Sequence, residues 1–403
     1  MEVPYAVRKI GDILRAGDYE AYAVGGCVRD WLLGRVPNDW DMTTNAQPAE
    51  MRRLFAGYRV IETGIRHGTV TVLIDGESVE VTTYRVDGAY ADHRHPDTVR
   101  FTASLTEDLA RRDFTINAMA YDPVGGIVDP FGGQADLKRG RIRCVGDPAR
   151  RFDEDALRIL RALRFASVLS FQLDPATAAQ IHAQAPLLRM VSAERICVEW
   201  KKLICGAAAS SVLRTYPDVA AQVLPELAPD AAVPERWAAR VMRVEQGEAD
   251  FAGRMALLLR GFAVEDAMRA LRCDRQTIRS AVQIAAAPDW LPTADAAAAR
   301  RGLADFGPDG WAMYLRTFPP EIRRAMEAET ASVLRRGDCW RVDQLAIGGT
   351  QLTALGLRGR SVGTVLNDLC AAVIDGTLPN TADALLDRVK SGIREGKPQY
   401  LTQ

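Results

Sequence analysis

The chain has 403 residues and a formal net charge of −1. At roughly 100–200 residues per domain, that length allows more than one domain with its own core, while so balanced a charge excludes a global field recruiting nucleic acid, so any basic surface has to be local. The seven cysteines are scattered, odd in number and without a C-x-x-C pair, which speaks against a disulfide framework and a structural zinc and fits a reducing cytosol.

Met1 to Gly11 is charged and short of apolar residues, and no run reaches the length of a membrane span; the expectation is a cytoplasmic protein without leader or membrane segment. Pro4 to Leu14 reads as a lead-in helix. Tyr22-Ala23-Val24 reads as a strand, Gly25-Gly26 breaks it, and Val28 to Leu33 carries helical spacing up to Gly34. After Pro37, the alternation Asn38-Asp39-Trp40-Asp41 predicts a second strand with Asp39 and Asp41 on one face. Two adjacent carboxylates repel unless a cation lies between them, and hard divalent ions such as Mg²⁺ take oxygen ligands while keeping room for phosphates. A double glycine at a strand-to-helix turn offers bare N–H groups and a helix N-terminus to a triphosphate. Gly25, Gly26, Arg29, Asp39 and Asp41, in this order, point to metal-dependent nucleotidyl transfer. Asp-x-Asp alone also fits a surface strand with two solvated aspartates.

Pro48 to Phe55 reads as a helix. Gly68 to Ile74 and Ser78 to Tyr84 form a predicted hairpin around Asp75-Gly76-Glu77. Alternation puts Val79 and Val81 on one face and Glu80 and Thr82 on the other, making Glu80 a candidate third carboxylate or simply an exposed Glu. Arg85 to Arg100 is a long polar connection of the kind that carries function; His93 and His95 within it read as solvated loop residues. Glu107 to Ala120 joins a basic pair, Arg111-Arg112, to an apolar helix that places Asp113 and Asn117 on one face. Gly125-Gly126 and Asp129 to Gly133 are turns that close this region.

From Leu137 strand-like runs nearly vanish and the chain reads as helical to its end. Asp155 to Phe165 is an amphipathic helix: Leu157, Ile159, Leu160 and Leu163 make its apolar side, and Asp155, Arg158 and Arg161 form a polar ridge. A carboxylate only accepts hydrogen bonds and a guanidinium only donates. Cytosine and adenine each offer an exocyclic amine beside ring acceptors and match such a pair. Uracil and guanine set a carbonyl oxygen against the carboxylate. Asp155 with Arg158 is therefore either a selector of C and A or an ordinary surface salt bridge. Val191 to Leu203 reads as a further helix. Near the end, Leu345 to Leu369 sets glycine-rich turns, Arg358 and Arg360 before an apolar helix, either an RNA-phosphate contact or a plain turn.

These stretches coincide with one family. GGCVRDWLLGRVPNDWDMTTNA, DGAYADHRHPD, RRDFTINAMAYDP with DPFGGQADL, DEDALRILRALRF with SAERI, and the late LAIGG and GLRGRSVG span nearly the whole chain in the family's order. The chain resembles the bacterial tRNA nucleotidyltransferases (CCA-adding enzymes) and their relatives, the bacterial poly(A) polymerases. The resemblance implies an α+β protein: a polymerase-β-like nucleotidyltransferase head with a small mixed sheet over residues 1–140, then an all-α neck (141–206), body (207–325) and tail (326–403). It implies that Asp39 and Asp41 hold catalytic Mg²⁺, with Glu80 as third carboxylate, and that Gly26, Arg29 and Arg112 meet the nucleotide beside Gly25. It further implies that Asp155 and Arg158 read the base, supported by Arg161 and Arg164, and that Asp87 to Asp97 is the mobile element needed for the terminal adenine. The implied reaction adds C, C and A to the tRNA 3′ end from CTP and ATP, with no membrane and no obligate protein partner. Alternatives are a poly(A) polymerase, a partial enzyme adding only CC or only A, and a non-catalytic RNA-binding protein. Arg358 stands where the family often has proline.

Overall fold

The first helix, α1 (Tyr5–Ala16), buries Ala6, Val7, Ile10 and Leu14, which fall on one face at helical spacing. The computed structural model describes residues 3–88, 99–248, 250–287 and 293–395. After α1 come β1 (Tyr22–Val24), α2 (Gly26–Leu32), β2 (Asp41–Thr44), α3 (Pro48–Leu54), β3 (Arg59–Ile61), β4 (Thr69–Ile74) and β5 (Glu77–Thr83). β6 (Arg85–Asp87) pairs with β7 (Val99–Phe101), and α4 (Leu105–Ala110), β8 (Ala120–Asp122) and β9 (Gly126–Val128) follow. Seven strands form one sheet in the order β3-β4-β5-β2-β1-β8-β9. It is mixed, because β2 and β5 run parallel while the other pairs are antiparallel.

Alternation in β4 and β5 sends Val70, Val72, Val79 and Val81 into a core with Ile10, Leu14, Met51 and Phe55. Glu80 is left on the opposite, exposed side. α3 begins as its residues require: Gln47 and Glu50 form a capping box around Pro48 at the first turn.

Some expectations give way here. Asn38 is a bend and Asp39 follows it in irregular chain, so the second strand starts at Asp41 rather than Asn38. The segment around Asp113 is not a helix: α4 stops at Ala110, and only a single 3₁₀ turn, Thr115–Asn117, precedes β8. Asp113 and Asn117 still meet, at 3.1 Å, across that turn. The Gly125-Gly126 turn stands as expected and closes a hairpin between β8 and β9. Residues 89–98, which include His93, His95 and most of the Asp87–Asp97 element, lie outside the described residues.

Next come α5 (Gly133–Lys138), β10 (Arg141–Ile142), α6 (Pro148–Glu154), α7 (Leu157–Leu169), β11 (Gln172–Leu173), α8 (Pro175–Gln184) and α9 (Ala193–Ile204). The helical region is not free of strand: β10 and β11 form a short parallel pair. α7 starts two residues later than its pattern suggests, and Asp155 is an extended residue joining α6 to α7. α7 is buried nearly all round, Arg158 included, with Arg161 and Arg164 half-buried.

The chain divides into two compact units, residues 1–239 with 270–272, and 240–269 with 273–403. The second is helical. Its larger helices include Arg275–Ala286, Pro320–Arg336, Arg360–Ile374 and Ala382–Arg394. Leu352, Val365, Leu369, Leu385 and Val389 anchor one of its cores. Among the described residues no helix is long and apolar enough to cross a membrane.

Candidate active site

β1 ends at Val24, and Gly25 turns the chain into α2 with φ +81° and ψ −125°. L side chains rarely adopt that conformation, and a Cβ on Gly25 would stand 3.0 Å from Arg112 Nη1. Glycine thus lets a guanidinium lie against the backbone where α2 begins. Arg29, on α2, reaches Asn117 Oδ1 at 2.6 Å and pairs with Asp30.

Arg112 is held from behind by Asp108, on α4. This carboxylate is fully buried, 2.9 Å from Arg111 Nη2 and 3.4 Å from Arg112 Nη2. Burial by itself would push the Asp108 carboxyl up, but the two guanidinium groups outweigh it and hold it below the usual range. Sequence reasoning passed over Asp108, although its spacing of three and four before Arg111 and Arg112 is the signal for such a pair.

Asp39 and Asp41 line the same cavity, of about 560 Å³. Asp41 opens β2, and its Cα partner on β5 is Glu80. The Asp41 side chain is open to solvent, yet the surrounding protein partly dehydrates it. That desolvation, then the Glu80 charge, holds its carboxyl above the usual range; Arg112 opposes and Asp39 adds to the rise. The ion pairs of the cavity engage Asp30, Asp113 and Asp155; among the described residues Asp39 and Asp41 join none.

This excess of negative charge on oxygen donors suits a hard divalent cation. Among the described residues no three His, Cys, Asp or Glu side chains make a closed metal cluster. Mg²⁺ does not need one, since it is commonly bound by one or two carboxylates together with substrate phosphates.

Further arginines enter from α7. Arg161 bonds Asp113 Oδ2 at 2.6 Å and comes within 3.6 Å of Glu199; Arg164 lies 2.7 Å from Glu199 and 3.9 Å from the centroid of Phe165. Burial would raise the Asp113 carboxyl, but Arg161 beside it holds it down to about 2. Arg158 donates to Glu154 Oε2 and to the backbone carbonyls of Arg151 and Arg111. Asp155 accepts from Arg195, not from Arg158. The structure therefore brings Gly25, Gly26, Arg29, Asp39, Asp41, Arg112, Asp155, Arg158, Arg161 and Arg164 to one cavity, whereas Glu80 borders Asp41 on the neighbouring strand without lining it. Six arginines against five aspartates make the cavity polar, with a slight positive excess suited to a polyanion. Arg195 and Glu199 carry no local signal, because their partners lie some forty residues away.

Fold and site define a nucleotidyltransferase with a poly(A) polymerase type of head: residues 21–143 match the family described as Poly A polymerase head domain, and residues 170–230 match the probable RNA and SrmB-binding site of polymerase A. A CCA-adding enzyme of Levilactobacillus brevis is 36% identical over 408 residues, covering 95% of this chain and 96% of that one. One from Geobacillus kaustophilus is 43% identical over 288 residues, 69% of either chain. The crystal structure of the Bacillus stearothermophilus CCA-adding enzyme in complex with CTP superposes with a TM-score of 0.76 at 31% identity, covering 98% of this chain and all of that one. The chain belongs to the family of CCA-adding enzymes.

Proposed function

We infer that the protein adds C, C and A to the 3′ end of tRNA from CTP and ATP, without a nucleic-acid template, releasing pyrophosphate. The observation that carries this is one cavity lined both by Asp39 and Asp41, which join no ion pair among the described residues, and by six arginines. Asp39 and Asp41, with Glu80 beside Asp41, would hold Mg²⁺. Bound there, the ion supplies Lewis-acid charge at the α-phosphate and lowers the pKa of the tRNA 3′-hydroxyl.

The chain's own groups do the rest. Gly25 and Gly26 give the triphosphate a close approach to backbone amides at the start of α2. Arg29 and Arg112 orient the phosphates, and Asp108 keeps Arg112 in place. Asp155 and Arg158 read the base edge, with Arg161 and Arg164 bracing that wall against Asp113 and Glu199. In this reading residues 1–140 are the catalytic head, 141–206 the neck that selects the base, and 207–325 and 326–403 a body and tail that engage tRNA. We place the activity in the cytoplasm, where tRNA, CTP and ATP are found.

The test is incubation with a tRNA ending at its discriminator base, with CTP and ATP separately and together, read on a sequencing gel. Two additions with CTP and three with both are expected. A long adenosine tail would make the protein a poly(A) polymerase, and no Mg²⁺-dependent incorporation at all would overturn the reading.

A further inference from the structure

The base-reading carboxylate is held in a specific way. Asp155 Oδ1 accepts the Leu157 backbone N–H at 3.1 Å and Arg195 Nη1 at 3.2 Å; Oδ2 accepts Arg195 Nη2 at 2.8 Å. An ionised carboxylate offers about four lone-pair sites, two on each oxygen. Three are taken. Both sites on Oδ1 are used, and among the described residues Oδ2 keeps one acceptor site.

Arg195 comes from α9, forty residues along the chain, and does not line the cavity that Asp155 and Arg158 line. Its fork grips both oxygens at once, which fixes the plane of the carboxylate and not merely its position. The N–H of Leu157, at the start of α7, fixes the same plane from a second side.

We propose that Arg195 is a positioning residue for nucleotide selection: its bidentate grip leaves Asp155 a single, oriented acceptor, suited to one exocyclic amine. This rests on the reading of Asp155 as the base-selecting group. Cytosine and adenine each present one such amine at this edge. Uracil presents an oxygen, and a carboxylate that cannot turn away from that oxygen rejects it by leaving two acceptors face to face. Without Arg195 the carboxylate rotates about Cβ–Cγ, withdraws from the uracil oxygen, and the rejection weakens. The same rotation loosens CTP, so its KM rises while the reacting atoms keep their partners.

The test is single-nucleotide addition to a tRNA lacking its CCA end, comparing kcat/KM for CTP and UTP in wild type, Arg195→Met, Arg195→Lys and Asp155→Ala. Arg195→Met is expected to lower CTP-over-UTP discrimination by roughly tenfold or more, chiefly through KM, because a site built on hydrogen bonds loses selectivity with their geometry. Arg195→Lys, a point charge without the fork, is expected to fall between wild type and Arg195→Met. Adding Arg195→Met to Asp155→Ala should lower discrimination no further.

Wild-type discrimination in Arg195→Met, or an equal loss for CTP and UTP, overturns the proposal. If Arg195→Met does not fold, Arg195→Lys decides it alone, and discrimination equal to wild type there overturns it. The base-reading role fails separately, if Asp155→Ala leaves discrimination unchanged.

Discussion

Asp41 and Glu80 are register partners on the only parallel strand pair, β2 with β5, within the seven-stranded sheet. Parallel pairing sets these two acidic residues side by side at the edge of the cavity, with Asp39 in the irregular chain just before β2. The neighbouring charges of Glu80 and Asp39 make Asp41 costlier to ionise, and in the proposed function a bound cation would relieve that repulsion.

Asp41→Asn is therefore expected to lower incorporation by about a thousandfold or more, several kcal/mol of transition-state stabilisation, while cation-free thermal stability stays equal or rises. Wild type should gain Tm on adding MgCl₂, by linkage, and Asp41→Asn should not. Glu80→Gln should lose less activity, because Glu80 borders the cavity without lining it. Thermal scans with and without Mg²⁺, beside a primer-extension assay, check all three.

The Asp113–Arg161 pair makes stability depend on pH. The folded-state carboxyl lies at about 2, below an unfolded value of about 3.9. The contribution is thus fully present above the unfolded pKa and lost as pH falls through the folded one. Asp113→Asn should cost about 2–3 kcal/mol at pH 7, with the gap to wild type narrowing between pH 4 and pH 2. Urea unfolding at pH 7, 4 and 3 measures it; a gap independent of pH would remove the ion pair as its cause.

Gly25→Ala forces a side chain into a positive-φ position and against Arg112. The expected cost is about 1–3 kcal/mol, together with a raised KM for both CTP and ATP, since phosphate contacts are shared by the two nucleotides. A KM change for one nucleotide alone would contradict the placement of Arg112 at the phosphates.

Gly206→Ala tests the packing of α7 on α9. A Cβ there would come within 2.7 Å of the Ser167 backbone carbon and disturb the hydroxyl of Ser167, which donates to Leu203 O at 2.6 Å. Backbone cannot yield as a flexible side chain does, so a loss of about 1–3 kcal/mol is expected, read as a lower Tm. Activity measured well below that Tm should fall less than in Gly25→Ala.

Much of this protein is written locally. The Gly25-Gly26 turn, the alternation that exposes Glu80 while burying Val79 and Val81, and the apolar spacing of α7 are periodic or conformational signals over a few residues; the first two appear where the residues place them, and α7 starts two residues late. That Arg29 and Arg112 share one site with Asp155 and Arg158 followed from resemblance, not from spacing. What needed the folded chain are the ion pairs between distant segments, among them Asp113 with Arg161, Glu199 with Arg164 and Asp155 with Arg195. Spacing on a helix foretold an Asp155–Arg158 pair, but Asp155 lies off the helix and turns to α9 instead. Charges choose partners by distance and dehydration in three dimensions, and those quantities exist only once α7 and α9 have packed.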